Sequence, residues 1–377
     1  MPRHETRQFV SHWLHSASTK VPPRGPSRNS PRGSSSAKGY PYCKLDRSAK
    51  EIRLLILEPG TGIDIIRCTL QHEDLDASPP PLYETVSYVC GDPNERAMIR
   101  LHGIRVEILA TSQAALRHIR FKYKPRTLWI DSICIDKDNA KELGHQVDML
   151  YEIYTRTSYN LVYLGPDDFD MPRVWQSMDA MCREILSETR DSVDLKKTLF
   201  GPTGQTKHSD APFSIDIQQS GLVQFYENEW FTRLWVVQEA ALSRISTCYI
   251  GQYRLPLKCV LRIAAWPRYK RAKLPGMSRI QHTGLTNAAI MFDLTDTDHG
   301  RTVSMDNTLW MLLRSCGSFR TLKRNDRVFA VMALWRKQTN AKFLPPDLKR
   351  NHTPKVHEVF TNACKFAIQE SRNLTLL

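Results

Sequence analysis

No run of about eighteen uncharged apolar residues occurs in this 377-residue chain, so the sequence offers no membrane-spanning helix. Its first apolar patch, Phe9–Leu14, does not grow into a secretion signal, because Arg7, His12 and His15 interrupt it. The nine cysteines are odd in number, scattered and never spaced C-x-x-C. That argues against a disulfide framework or a zinc site of the usual spacing, and for a reducing, cytoplasmic setting. Missing too are G-x-x-x-x-G-K-[ST], G-x-G-x-x-G and H-E-x-x-H, which removes support for a P-loop hydrolase, a Rossmann cofactor and a zinc protease. We therefore expect no metal and no bound cofactor. No basic stripe alternates with aromatics, so no specific nucleic-acid groove is expected either.

What is present is a hydrophobic fraction of 41%, enough to build a core, and a net charge of +14. The charge is unevenly placed: ten Lys and Arg stand against only Glu5 and Asp46 in the first fifty residues. With the Ser, Pro and Arg content of Val21–Lys38, this reads as a disordered basic tail over 1–49, since it cannot bury enough apolar surface to offset its ordering entropy.

Beyond it, alternation in Ile52–Leu57 and Ile63–Leu70 around Pro59-Gly60-Thr61-Gly62 spells a hairpin, and Met98–Leu109 a second one turning at His102-Gly103. Leu82–Val89, Leu128–Ile130, Leu161–Leu164 and Thr247–Ile250 read as strands. Between them Ser112–Phe121, the Leu143/Val147/Leu150/Tyr154 series and Trp175–Leu186 carry helical spacing, while Gly201–Asp210 reads as a surface loop. Helix and strand in alternation predict an α/β fold whose parallel sheet is covered by helices, with ligands beyond the carboxyl ends of the strands. Those ends are Gly91/Asp92, Asp131 and Gly165. The domain reading is a core over 50–255, with an insertion at about 167–228, and a mainly helical extension over 256–377. The final Asn373–Leu377 looks like an unfinished element, so a truncated product is expected.

One carboxylate stands out. Phe231, Trp235, Glu239 and Leu242 fall at spacings of four, four and three, so a helical face of large apolar groups carries Glu239. Such a group must be paired, be hydrogen-bonded or have its ionisation perturbed. An ion pair with Arg233 or Arg244 is the plain structural explanation. Asp92 and Asp131 have an equally plain one as strand-end caps. Cys134 and His145 make a weak thiol–base pair, because Cys134 lies in the apolar run Ile133–Ile135. Trp129, Trp235 and Trp310 read as core residues.

Ser87-Tyr88-Val89-Cys90-Gly91-Asp92, Leu128–Ile135, Gln146-Val147 with Ile153-Tyr154, Val162–Gly165 and Trp230–Glu239, in that order and spacing, resemble the fungal heterokaryon incompatibility (HET) domain. The likeness covers about residues 50–335 if the opening strand and Asn325–Ala330 are included. Cys90 stands where that family usually has tryptophan, and Asp136-Lys137 replaces the usual Asn-Gln. The resemblance implies a role in non-self recognition between fungal strains, ending in cell death, with protein partners or self-association. A weaker resemblance is to Toll/interleukin-receptor (TIR) domains, which implies a mostly parallel, TIR-like or flavodoxin-like sheet, to which this chain adds the N-terminal hairpin and helical additions read above. Some TIR domains cleave NAD with a helix-borne glutamate. Carried over by position, that residue is Glu239, with NAD as substrate, Asp92 or Asp131 on the ribose, and Gly91 and Trp235 lining the site. The alternative is a non-enzymatic signalling module in which Glu239 is structural.

Overall fold

Strand β1 (Glu51–Leu57) is buried along almost its whole length and pairs antiparallel with β2 (Arg67–Asp74), the first expected hairpin. The computed structural model describes residues 40–189, 221–269, 283–295, 308–349 and 355–371. The expected surface loop at Gly201–Asp210 and most of the basic tail lie outside them.

The second half of the opening hairpin starts later than the alternation predicts. Ile63 is 95% exposed, and the chain there is a turn in which the Asp64 carboxylate accepts from the Thr61 amide at 2.8 Å. Arg117 and Arg120 hold the carbonyls of this loop, so its backbone bonds go to side chains rather than to a ladder. The second hairpin agrees with expectation: β4 (Arg96–Leu101) and β5 (Ile104–Leu109) meet at His102 and Gly103, both at positive φ, as a tight two-residue turn requires.

The four strands read as parallel, β3 (Glu84–Tyr88), β6 (Arg126–Trp129), β7 (Tyr159–Tyr163) and β8 (Ser246–Ile250), are indeed contiguous and parallel. They form the middle of a nine-stranded sheet of order β5-β4-β2-β1-β6-β3-β7-β8-β9, where β9 is Tyr253–Pro256. The sheet as a whole is mixed, because three hairpins and the β1–β6 pairing add antiparallel neighbours on both sides of that centre.

Alternate strand residues point to opposite faces. Val162, Cys248 and Ile250 enter one core, while Leu161 and Tyr249 enter the other. The second core packs beneath α1 (Ala110–Ile119), α2 (Asp131–Cys134) and α4 (Leu150–Arg156). The first takes in α5 (Met171–Thr189), α6 (Leu222–Tyr226), α7 (Trp235–Leu242), α8 (Leu257–Tyr269), α9 (Thr283–Thr295), α10 (Leu309–Ser315) and α11 (Asp326–Thr339). Helix α12 (Val356–Ser371) closes it through Val359 and Ala363. The described part of the helical extension therefore shares the core of β7, β8 and α7.

Four expectations are corrected. Order begins by residue 40: Tyr40, Tyr42 and Leu45 are buried, and the Tyr42 hydroxyl donates to the Ile133 carbonyl at 2.9 Å. The Leu143–Tyr154 series is two helices, α3 (Ala140–Asp148) and α4, separated at Met149. What α3 buries is Glu142 and Gln146, because Arg53 binds Glu142 at 2.5 and 3.0 Å and the Gln146 amide donates to the Glu51 carbonyl. Phe231 belongs to a 3-10 turn, Glu229–Thr232, rather than to the helix of Glu239; the chain straightens at Arg233, where the Leu234 amide donates to the Arg320 carbonyl and the Arg320 amide donates to the Thr232 carbonyl. Trp310 is 37% exposed, since Leu309 and Leu312 take the inward face of α10.

Candidate functional site

Adjacent residues on β3 start the site. Ser87 and Tyr88 are both buried and point to opposite faces at the carboxyl end of the strand. The Tyr88 hydroxyl accepts from Ser112 at 2.9 Å, and Ser112 in turn touches Ser132 at 3.0 Å, which ties the starts of α1 and α2 to this strand end. Ser87 accepts from the indole N–H of Trp230 at 2.8 Å.

An indole N–H can only donate, so the Ser87 hydroxyl is left to give its own proton elsewhere. It gives it to Glu239, which also accepts from Tyr154. Tyr154 is held edge-on to Trp129 with ring centroids 5.8 Å apart. Burial pushes the Glu239 carboxyl up from 4.5 to about 7; the negative charge of Asp131 adds to this, while the Ser87 hydroxyl, Arg233 and Tyr154 pull it down. Burial also raises the Tyr154 phenol well above its ordinary value, and Glu239 reinforces the effect, so this hydroxyl remains a donor.

Asp131 opens α2 at the end of β6. Its surroundings push it up by burial, yet the Lys137 ammonium at 2.7 Å and the Arg233 guanidinium outweigh that and hold it below the usual carboxylate range. Lys137 is raised in turn, burial being overcome by Asp131 and the Cys90 thiol. Arg233 donates through Nη2 to Cys90 Sγ at 3.7 Å and feels Glu239 and Asp131. Asp131 and Lys137 are closely surrounded by protein, but keep 36% and 39% of their side-chain surface open. Water therefore reaches this edge of the cluster.

Of the sequence-predicted residues, Glu239 and Asp131 are thus brought together. Gly91 and Asp92 lie in an exposed turn, and Asp92 accepts from the Asn94 amide at 2.8 Å, the geometry of a strand-end cap. Gly91 takes φ +67°, and a Cβ there would meet Thr111 Cγ2 at 2.6 Å. Trp235 is half-buried between the two cores and donates its indole N–H to Asp326 at 3.1 Å, fastening α7 to α11. Cys134 is packed in the core with its thiol pushed up to about 12 by burial, which leaves no nucleophile there at neutral pH. No group of His, Cys, Asp and Glu able to hold a metal occurs among the described residues.

Sequence reasoning missed Ser87, Tyr154, Lys137 and Cys90 as site residues and saw Arg233 only as an ion-pair partner. All but Lys137, which follows the Leu128–Ile135 segment, lie inside one of the quoted segments, but a hydroxyl in a strand or a lysine in a loop carries no periodic signal.

A long-range pair fixes the Asp131–Lys137 segment. Arg53, on β1, donates to the Cys134 carbonyl at 3.0 Å and to Glu142, whose carboxylate also takes the Asp136 amide at 2.7 Å. A separate cavity of about 210 Å3, bounded by Ser243, Lys258, Phe292 and Lys337, lies by the carboxyl end of α7 and contains none of these groups.

Comparison with known proteins gives the following. Residues 83–239 match the model of the family described as Heterokaryon incompatibility protein (HET). The chain is 29% identical over 229 residues to Heterokaryon incompatibility protein 6, OR allele, of Neurospora crassa, an alignment covering 54% of this chain and 33% of that one. It therefore spans about a third of the length of that curated relative. No solved structure matches.

Proposed function

We propose, from the premise that this chain carries a heterokaryon incompatibility (HET) domain, that it acts in incompatibility between fungal strains and that its chemical step is cleavage of NAD at Glu239. Death of the incompatible cell follows in this reading from loss of the dinucleotide. The observation that carries it is one carboxyl group, raised to about 7 by burial, hydrogen-bonded by two buried hydroxyls and within electrostatic reach of Asp131 and Arg233. Perturbed carboxylates in such surroundings are characteristic of active sites.

The chemistry needs one carboxylate. The bond from the ribose C1′ to the pyridinium nitrogen breaks, and its electron pair leaves with neutral nicotinamide. Water adds to C1′ and loses a proton, giving ADP-ribose. Because the leaving group departs neutral from a cation, no general acid is required, unlike ordinary glycoside hydrolysis with two carboxyl groups. Ionised Glu239 stabilises the developing oxocarbenium charge and holds the ribose hydroxyls. Ser87 and Tyr154 position it, and the cationic pyridinium favours its ionised form on binding.

The site also allows a non-enzymatic reading. Glu239 is hydrogen-bonded by Ser87 and Tyr154, as a structural carboxyl is, and in that case the domain works through protein partners or self-association. Nicotinamide release from NAD by the purified full chain, compared with Glu239→Gln, separates the two. Release abolished by the substitution supports the enzyme; equal activity, or none in either protein under crowded conditions, supports the module.

A further inference from the structure

One cation of this cluster is in direct contact with no carboxylate among the described residues. Lys137 and Asp131 are in contact at 2.7 Å and neutralise one another. Arg233 feels Asp131 and Glu239 electrostatically but forms no ion pair with either among the described residues. Among the described residues its guanidinium has a single side-chain hydrogen bond, to the Cys90 sulfur at 3.7 Å, a weak acceptor for one of five N–H groups. It is half-buried and held in place from behind: its own amide bonds the Trp230 carbonyl, and the flanking Thr232 carbonyl and Leu234 amide bond Arg320. A rigid, partly dehydrated guanidinium fork with open donors matches two oxygens of a phosphoryl group in a way an ammonium does not.

We propose that Arg233 is the seat of a phosphoryl oxyanion, with Lys137 as its auxiliary cation, so that this cluster accepts nucleotides rather than free nucleosides. This rests on the reading of the Glu239 cluster as the substrate site, and it names the part of the substrate that the site grips. Lys137 stands where the resembling family has glutamine, and an ammonium there screens Asp131 from an incoming anion. Without it the Asp131 carboxylate would repel the same phosphate that Arg233 attracts.

The experiment is calorimetric titration of the full chain with inorganic pyrophosphate, which contains no glycosidic bond and so is independent of cleavage. Saturable binding at one site is expected, weakened tenfold or more in Arg233→Ala and several-fold in Lys137→Gln. In Glu239→Gln binding should be retained or tighter, because a negative charge has been removed. Should Arg233→Ala lose its fold by circular dichroism, Arg233→Lys decides: it keeps the charge, loses the fork, and should still bind at least several-fold more weakly. Binding indifferent to both Arg233 substitutions would place the anion elsewhere, on the basic tail for instance, and would overturn the proposal, as would no binding at all. Arg233-dependent binding in a chain that never releases nicotinamide would sink NAD cleavage while leaving the phosphoryl seat standing.

Discussion

The indole N–H of Trp230 donates to the Ser87 hydroxyl at 2.8 Å, and the Ser87 hydroxyl donates in turn to the Glu239 carboxyl, so one hydroxyl joins the strand end to the helix that bears the carboxylate. A hydroxyl whose acceptor side is taken by an indole has a fixed direction. This gives Glu239 its aim.

Replacing Ser87 with alanine should therefore do two things. It strands the Trp230 N–H in the core, which costs about 1–3 kcal/mol in chemical denaturation. It also removes a donor that holds the Glu239 carboxyl down, so the carboxyl should titrate above about 7, readable by carbon-detected NMR on labelled glutamate. A loss of stability without any shift in that titration would mean that Ser87 serves packing alone.

Glu239 also sets a pH dependence of stability. Its value is about 7 in the fold against 4.5 for an unperturbed side chain, so between those values the folded state binds the proton more tightly. The stabilisation is complete below about pH 4.5 and is lost as the pH rises through about 7, at up to about 1.4 kcal/mol per pH unit. Glu239→Gln, which cannot ionise, should gain on the parent over that interval and run parallel above it in thermal melts. Asp131 has the opposite sign: held low by Lys137 and Arg233 against its burial, it contributes stability at neutral pH that is lost on acidification.

The buried Arg53–Glu142 pair should be the most sensitive structural contact near the site. Glu142→Ala leaves Arg53 charged and without its carboxylate inside the core, a change worth about 3–5 kcal/mol. The Asp136 amide and the segment carrying Asp131 and Lys137 lose their anchor at the same time. Hydrogen exchange over residues 131–139 should accelerate more than over β7.

Gly91→Ala should cost about 1–2 kcal/mol, since the residue sits at φ +67° and the added Cβ meets Thr111, whose hydroxyl is fixed on the Cys90 carbonyl at 2.7 Å. Thr111→Ser in the same background should recover part of the loss by removing the opposing methyl.

These contacts mark where the sequence could be read and where it could not. The parallel strands were legible because Val86, Leu128, Val162 and Cys248 sit in runs whose period is that of a sheet buried on both faces. Glu239 was legible because a carboxylate interrupts an apolar segment. The burial of α3 was not, since Glu142 and Gln146 look solvent-facing until β1 supplies their partners, Arg53, 89 residues away from Glu142, and the Glu51 carbonyl for Gln146. For the same reason Ile63 misled: its alternation is that of a strand, but Asp64 and two arginines satisfy the backbone locally. Arg233 was visible as a charge and invisible as a fork, because its bearing depends on a strand-like exchange with Arg320 across the sequence.

The most direct test of the account is nicotinamide release from NAD by the full chain and by Glu239→Gln across pH 5.5 to 8.5. The account requires release by the parent that increases with pH through about 7, as the carboxyl ionises, and loss of at least a hundredfold in the glutamine variant at every pH. Equal release by the two proteins would contradict it.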